Sequence, residues 1–277
     1  MPMELRKAAG ITLKQRLDTL LVDKGFFRSR EKAKTSIMAG LVFVDGQISD
    51  KPGTNVDVDA EITVKGDDCP YVSRGGLKLE KALKVFDIDV KGLHCIDIGA
   101  STGGFTDCLL QNGAEKVYSV DVGYGQLDYK LRSDSRVVCM EKINFRYLEE
   151  GDIPEKLDFA CADVSFISLK HMFPVAYMLL KDGASFASLI KPQFEAGREQ
   201  VGKHGIIKDA SVHKEVIEKV IGYANLSGFS VCGLSFSPIT GGKGNIEFLI
   251  YLKKLCGVQN AEIDIDSVVA AAHKELK

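Results

Sequence analysis

The stretch Cys95-Ile96-Asp97-Ile98-Gly99-Ala100-Ser101-Thr102-Gly103-Gly104-Phe105-Thr106 combines an apolar strand, a glycine turn and the start of a helix. Glycines let a turn approach a ligand closely, because no Cβ intrudes and positive φ angles are allowed. A dinucleotide-binding turn needs Gly-x-Gly-x-x-Gly, whose second glycine admits a pyrophosphate. Ser101 stands at that position, which favours a nucleotide-type cofactor without a diphosphate, most commonly S-adenosylmethionine (SAM). A plain strand-to-helix connection is the alternative.

Polar positions beyond this stretch complete the predicted cofactor site. Asp121 lies 22 residues beyond Gly99 at the end of the next apolar run, the spacing at which an acid receives ribose hydroxyls. The alternative for Asp121 is a turn residue at a strand end. Asn144 is predicted either near the adenine or as a loop cap. The residues predicted to bind the cofactor are Asp97, Gly99, Ser101, Thr102, Gly103, Gly104, Phe105, Asp121, Asn144 and Asp163.

The composition is that of an ordinary globular protein. With 277 residues, 45% of them hydrophobic and 27% charged, the chain is long enough for two domains. Its apolar runs fall far short of the roughly 20 residues of a membrane helix, and no secretory segment follows Met1. Seven cysteines without a Cys-x-x-Cys pair indicate reduced thiols rather than disulfides or zinc ligands. We therefore expect a cytoplasmic protein that contacts no membrane and holds no metal.

Apolar runs alternate with helix-length segments from His94 onward, which is typical of a doubly wound α/β sheet. The predicted strands are residues 94–98, 116–121, 137–140, 157–163, 185–191, 230–236 and 246–252. Only residues 237–245 separate the last two runs, too few for a crossover helix, so this pair is expected to be antiparallel. The predicted fold is a Rossmann-like, seven-stranded α/β methyltransferase fold with antiparallel last strands.

The amino-terminal part of the chain is locally basic, since residues 1–36 hold nine lysines or arginines against four acidic residues. Spacing predicts helices over residues 15–24 and 30–39, a hairpin over 41–48 around an Asp-Gly turn, and a strand over 61–64. This small α+β pattern resembles the S4-type RNA-binding domain. The resemblance and the basic charge imply RNA contacts by Arg16, Arg28, Arg30 and Lys34. The alternative is a packing module with a solvated basic face.

Charged residues gather at one edge of the predicted sheet. The ends of the parallel strands carry Asp97, Asp121, Asp163 and Lys191. Ligands of open α/β sheets bind at this edge, where Glu247 also lies because it begins the reversed last strand. Lys191 ends an apolar strand, where a half-buried lysine needs carboxylate partners. We expect Asp163 and Glu247 to supply them.

Five motifs together are similar to one family. They are residues 73–79 (Ser-Arg-Gly-Gly-x-Lys-Leu), 97–106, 163–169 (Asp-Val-Ser-Phe-Ile-Ser-Leu), 191–198 (Lys-Pro-Gln-Phe-Glu-Ala-Gly-Arg) and 244–248 (Gly-Asn-x-Glu-Phe). Over residues 14 to about 252 the chain resembles the TlyA (hemolysin A) family of ribosomal-RNA 2′-O-methyltransferases, which are related to FtsJ-type enzymes. In that family a Lys-Asp-Lys-Glu tetrad carries catalysis, which implies catalytic roles for Lys78, Asp163, Lys191 and Glu247.

The resemblance implies a SAM-dependent enzyme that methylates the ribose of a cytidine in ribosomal RNA within ribosomal subunits. Longer members modify 16S as well as 23S RNA, and the lead and C-terminal helix of this chain favour the longer type. One departure, Gly241-Gly242 in place of Gly-Pro, is expected to loosen the last hairpin without touching the tetrad. The implied domains are an RNA-binding domain (1–65), a linker (66–76), a methyltransferase domain (77–260) and a C-terminal helix (261–277).

Two roles for Lys191 stay open at the level of sequence. Either its neutral amine takes the proton of the ribose hydroxyl, or its charged form stabilises the developing alkoxide. Lys78 is expected to orient the ribose or a phosphate. Two other functions compete with catalysis: a non-catalytic ribosome- or RNA-binding protein, and a membrane-active hemolysin. For the hemolysin function, the sequence lacks a spanning segment and a strongly amphipathic basic helix. The sequence predicts no oligomeric state.

Overall fold

The computed structural model describes residues 13–27, 29–38, 40–64, 69–202, 204–241 and 244–276. The chain forms two compact units that divide between Cys69 and Pro70. Each unit has its own hydrophobic core: Leu17, Leu21 and Ile37 are central to the first, and two larger clusters belong to the second.

The described part of the first unit contains two helices and short strands. These are β1 (Lys14–Arg16), α1 (Leu17–Asp23), α2 (Arg30–Met38), β2 (Val42–Val44), β3 (Gln47–Ile48), β4 (Asn55–Asp57) and β5 (Ile62–Val64). β2 pairs antiparallel with β3 and β5, and β1 pairs with β4. The predicted order of helix, helix and hairpin is confirmed. The β1–β4 pair was not predicted, because strands of three residues are too short to show an alternating pattern.

The second unit is organised around a mixed sheet of seven strands. They are β6 (His94–Ile98), β7 (Lys116–Asp121), β8 (Val137–Glu141), β9 (Leu157–Ala162), β10 (Leu180–Ile190), β11 (Ser230–Phe236) and β12 (Phe248–Lys253). Their order in the sheet is β11-β12-β10-β9-β6-β7-β8. β12 runs antiparallel to both of its neighbours, whereas β8, β7, β6, β9 and β10 are parallel. This confirms the predicted seven-stranded α/β fold with antiparallel last strands.

The helices of the second unit pack against the sheet in two hydrophobic clusters. They are α3 (Gly75–Val85), α4 (Gly104–Gln111), α5 (Tyr129–Arg132), α6 (Phe173–Leu179), α7 (Pro192–Glu195), α8 (Ala210–Leu226) and α9 (Ile265–Glu275). Asp209 and Asp264 cap α8 and α9 by accepting backbone N–H groups with their side chains. Among the described residues, the helices are all too short or too polar to cross a bilayer.

The order of the strands brings the ends of three of them together. β10 lies between β9 and β12, so Lys191 directly after β10 is flanked by Asp163 after β9 and Glu247 before β12. β6 lies on the other side of β9 and delivers the glycine turn to the same edge. The fold therefore places the charged residues Asp163, Lys191 and Glu247 next to the glycine turn that is predicted to bind the cofactor.

Candidate active site

The turn after β6 passes close to the chain that leaves β9. Gly99 follows β6 with a φ of 83°. A Cβ on Gly99 would lie 2.9 Å from the backbone oxygen of Asp163, so a larger residue would push the two segments apart. Ser101 also has a positive φ, 49°, which is uncommon outside glycine. The backbone of this turn is thus fixed beside the end of β9.

Gly103 has a packing role beside its predicted contact with the cofactor, which stays a prediction. It precedes α4 with a φ of 94°. A Cβ at this position would overlap the side chains of Leu131 and Leu127, which are buried. The described residues that line the cavities beside the turn do not include Gly103. A valine there would disturb the fold before it could reach a ligand.

Two adjoining cavities open at this edge of the sheet. The first, of about 500 Å³, is lined by the predicted cofactor residues Asp97, Gly99, Ser101, Thr102, Gly104 and Phe105, together with Lys78, Asp163 and Lys191. The second, of about 450 Å³, is lined by Asp121 and Asn144 and shares Gly99, Ser101, Asp163 and Ser165 with the first. The predicted cofactor residues other than Gly103 therefore surround one pair of cavities.

Asp97 is a buried carboxylate with one unused oxygen. Its Oδ2 accepts the backbone N–H of Thr106 at 2.9 Å and the hydroxyl of the same residue at 2.7 Å. Its Oδ1 is buried and has no hydrogen-bond partner among the described residues. Burial raises the pKa of Asp97 to about 7, although the Thr106 bonds oppose this shift. A buried acceptor without a partner is costly, so this oxygen is suited to a cationic group of a ligand.

Asp121 and Asn144 lie on the wall of the second cavity and also order its loops. The carboxylate of Asp121 accepts the backbone N–H of Ser101 at 2.8 Å and that of Gly123 at 2.6 Å. Asn144 accepts the backbone N–H of Arg146 and so caps a short 3₁₀ helix, Phe145–Tyr147. Asn144 thus caps a loop and faces the cavity at once, so its two predicted roles are compatible.

Lys78 is held between two carboxylates. It projects from α3, and its Nζ lies 2.6 Å from Glu247 Oε2 and 3.4 Å from Asp163 Oδ2. Glu247 is only 2% exposed, and a Cβ on Gly241 would overlap its carboxylate. Burial lowers the pKa of Lys78, but the two carboxylates raise it by more, so its pKa lies above that of an ordinary lysine. Lys78 is therefore a fixed cation and is unsuited to act as a base.

Lys191 lies on the other oxygen of the same aspartate. Its Nζ is 2.5 Å from Asp163 Oδ1 and donates a hydrogen bond to Ser165 Oγ at 2.9 Å. Its side chain is 10% exposed. We expected both Asp163 and Glu247 to hold Lys191, but the ion pair of Glu247 is with Lys78. The lysines therefore share Asp163 and differ in their second partner.

The loops that carry these residues are tied to each other by Glu195. Phe166, three residues after Asp163, has a positive φ of 62° and an exposed ring. Farther along this loop, Ser168 donates its hydroxyl to Glu195 at 2.6 Å, and Glu195 also accepts the backbone N–H of Leu169 at 2.7 Å. Glu195 itself ends α7, which starts just after Lys191. Neither Ser165 nor Glu195 was predicted as a site residue, since only the folded loops bring them to Lys191 and Ser168.

In the first unit, two of the predicted RNA-binding arginines have a structural partner. Arg16 and Arg30 each lie 3.0 Å from Oδ2 of Asp18, whose side chain is fully buried. These arginines hold the pKa of Asp18 well below its usual range. Lys34 is exposed on α2, and Arg28 lies outside the described residues. Arg16 and Arg30 are half-exposed, so they can contact a ligand while they neutralise Asp18.

Comparison with known protein families agrees with this architecture. The profile described as FtsJ-like methyltransferase matches residues 71–254, and that described as S4 domain matches residues 15–62. The chain belongs to the FtsJ-like methyltransferase family. The S4 match confirms the predicted nature of the first unit.

Several relatives are similar to this methyltransferase over most of its length. YqxC of Bacillus subtilis, provisionally named as an rRNA methyltransferase, is 54% identical over 95% of this chain and 96% of its own. Hemolysin A of Brachyspira hyodysenteriae is 43% identical over 85% of this chain and 98% of its own length. The 16S/23S rRNA (cytidine-2′-O)-methyltransferase TlyA of Mycobacterium tuberculosis is 42% identical over 86% of this chain and 89% of its own length. A solved structure from Streptococcus thermophilus, provisionally described as a hemolysin, superposes with a TM-score of 0.78 at 53% identity. The match covers 96% of this chain and 98% of that one.

Proposed function

We propose that this protein transfers a methyl group from SAM to the ribose 2′-hydroxyl of a cytidine in ribosomal RNA, in the 23S and 16S molecules. The observation that carries the proposal is the placement of Lys191, between Asp163 and Ser165, on the wall of the first cavity. A relative that is 42% identical is named for this reaction on both RNAs. With ribosomal RNA as its proposed substrate, the protein is expected to act in the cytoplasm.

The residues of the two cavities fit SAM. Oδ1 of Asp97, which has no hydrogen-bond partner in the described part of the chain, can accept a hydrogen bond from the cationic amino group of the methionine part. Asp121, with oxygens that each have a second lone pair, can accept ribose hydroxyls. Gly99 and Ser101 line both cavities, so the turn would contact a ligand that extends from one to the other. SAM supplies an electrophilic methyl group on a sulfonium centre, and these side chains would hold and orient it.

A third cavity is available for the target nucleoside. It has a volume of about 320 Å³, and its lining includes Lys191, Glu247, Phe166 and Phe194. The two rings lie 4.8 Å apart at 45°. Phe166 is 90% exposed, and an exposed aromatic ring offers a stacking surface to an unpaired base. Lys191 thus borders both the proposed cofactor site and the proposed nucleoside site.

The four charged residues divide the work of methyl transfer. A ribose hydroxyl is a poor nucleophile, so it needs placement in line with the methyl group and help with its proton. Lys191 is placed to contact this hydroxyl, either as the base or as the cation beside the developing alkoxide. Asp163 orients Lys191, and Glu247 keeps Lys78 charged and in place. Lys78 then supplies positive charge at the wall of the first cavity for a ribose or phosphate oxygen.

The proposal is tested with ribosomal subunits from a strain that lacks the gene. Purified protein and tritiated SAM are incubated with separate large and small subunits, and the modified ribose is mapped. We expect label on the 2′-oxygen of a cytidine in each subunit. Label on a base, or none on either subunit, would contradict the proposal. Leakage of dye from liposomes at protein concentrations that give no RNA methylation would instead favour the hemolysin function.

We also propose that residues 1–65 dock the RNA. Residues 66–76 are then the linker to a catalytic domain over 77–260, which is followed by the C-terminal segment 261–277 with α9. Lys34→Glu is the cleanest test, because it reverses an exposed charge, whereas Arg30→Glu would also place a carboxylate against buried Asp18. We expect RNA affinity to fall several-fold and the salt slope to decrease by about 1. Filter binding across a salt series measures both quantities.

The matched control for Lys34 is Lys51→Glu, an exposed lysine before β4 that is not in the predicted RNA-binding set. It makes the same change of net charge, and we expect a smaller loss of affinity. SAM affinity should be unchanged in both variants. Equal salt slopes in wild type and Lys34→Glu would remove Lys34 from the docking surface.

A further inference from the structure

We propose that Ser165 is a positioning residue, which fixes the amine of Lys191 in the direction that meets the 2′-hydroxyl. The inference rests on the proposed function and adds a fifth residue to the four charged ones. It starts from the hydrogen bond that Lys191 Nζ donates to Ser165 Oγ at 2.9 Å.

The contacts of Lys191 restrict the orientation of its amine. Besides its bond to Cε, an ammonium has three N–H donors, and a neutral amine has two donors and a lone pair. The Nζ of Lys191 lies against Asp163 Oδ1 at 2.5 Å and Ser165 Oγ at 2.9 Å. The contact with Asp163 Oδ1 is an ion pair without the geometry of a hydrogen bond, so the bond to Ser165 is the contact that gives the amine a direction. Asp163 alone would leave the amine free to rotate about that ion pair.

The location of Ser165 supports a role in the reaction rather than in folding. Ser165 lines the first cavity, the second cavity and the third cavity. Asp163 lines the first two, and Lys191 lines the first and the third. Ser165 is itself exposed, so its hydroxyl contributes little to the core. Its hydrogen bond therefore acts where the proposed cofactor and nucleoside sites meet.

The loop of Ser165 is held firmly enough to do this. On one side it continues from β9 through Asp163, whose carboxylate is engaged by both lysines. On the other side Phe166 adopts the left-handed conformation, which a bulky residue keeps only when its surroundings impose it. Two bonds to Glu195 then close the loop at Ser168 and Leu169. A hydroxyl on such a loop can restrict a flexible lysine side chain.

Ser165→Ala tests the inference with little risk to the fold, because the residue is exposed and keeps its Cβ. We expect single-turnover methyl transfer to fall about 10- to 100-fold, the range for one hydrogen bond to a charged group. The dissociation constants for SAM and for ribosomal subunits should stay within a few-fold of wild type. Ser165→Thr, which restores a hydroxyl, should recover most of the rate.

A double-mutant cycle separates positioning from a general loss of order. In a Lys191→Ala background, Ser165→Ala should cause no further loss of rate, since its only proposed action is on Lys191. Ser168→Ala is the control on the same loop: its hydroxyl bonds Glu195, and it does not belong to the described lining of the three cavities. It should lower stability more than the Ser165 variant and the single-turnover rate less.

The outcomes distinguish this inference from the proposed function. A wild-type protein that methylates ribosomal RNA, together with a Ser165→Ala variant of equal rate, would overturn the role of Ser165 alone. An equal loss from Ser165→Ala with and without Lys191 would also overturn it, because the serine would then act independently. A wild-type protein that methylates neither subunit would overturn the proposed function and this inference with it.

Discussion

Lys191→Ala is expected to lower the single-turnover rate of methyl transfer by roughly 10² to 10⁴, the range for a lost general base or a lost oxyanion-stabilising group. The affinities for SAM and for ribosomal subunits should stay within a few-fold, because the amine is proposed to act mainly on the transition state. Rapid-quench transfer of tritium from SAM measures the rate, and calorimetry measures SAM binding. A near wild-type rate would make Lys191 a structural partner of Asp163.

The same strand offers a matched control for Lys191. Lys181 lies at the beginning of β10 and is paired with Asp158 at 2.6 Å, so it is a lysine–aspartate pair at the opposite end of the strand. Lys181→Ala should leave the rate unchanged. Lys191→Arg then discriminates between the two roles, since a guanidinium keeps its charge but cannot become a neutral base. Substantial activity in Lys191→Arg favours alkoxide stabilisation, and loss as deep as in alanine favours the base or strict geometry.

The cluster around Lys191 could be predicted from sequence because the fold has a simple rule for its edge. Each parallel strand of the second unit was visible as an apolar run, and the short connection before the last run indicated its reversal. Once the strands were placed, the residue after each strand had to lie at the carboxyl edge. That rule places Lys191 beside Asp163 and Glu247 without any knowledge of side-chain directions.

The individual pairings could not be predicted in this way. Glu247 lies next to Lys191 in the sheet, but it pairs with Lys78, which arrives from α3 and is 169 residues away in sequence. Ser165 belongs to a loop whose path depends on a positive φ and on bonds to Glu195, at the end of α7, that form only after folding. Such contacts leave no periodic signal in the chain.

The structure gives two sets of predicted site residues a second role that the sequence did not show. At Gly103, the side chains of Leu127 and Leu131 occupy the space that a Cβ would need. Arg16 and Arg30 look like free cations in a basic segment, but buried Asp18 between them demands counter-charges. In both cases a residue pattern typical of ligand binding also answers a local packing or charge requirement, which only the folded chain reveals.

Asp97→Asn is expected to weaken SAM binding by about 10- to 100-fold at pH 7.5, the range for one hydrogen bond to a charged group. Burial raises the pKa of Asp97 to about 7, and the carboxylates of Asp163 and Asp121 raise it further against the opposing Thr106 bonds. The carboxyl group is therefore mostly neutral below pH 7 and ionised above it. A cationic amino group binds the ionised form, so wild-type affinity should rise with pH through about 7.

The pH series from 5.5 to 7.5 provides the sharper measurement, because the α-amino group of a ligand stays mostly charged there. Wild-type affinity should fall by up to about tenfold per pH unit below pH 7, as one proton must leave Asp97 on binding. Asp97→Asn should flatten this dependence, whereas Asp158→Asn, at the opposite end of the sheet, should retain it. Methylthioadenosine, which lacks the amino-acid part of SAM, should bind wild type and Asp97→Asn equally at every pH. An unchanged pH dependence in Asp97→Asn would mean that the amino group of SAM does not lie at Asp97.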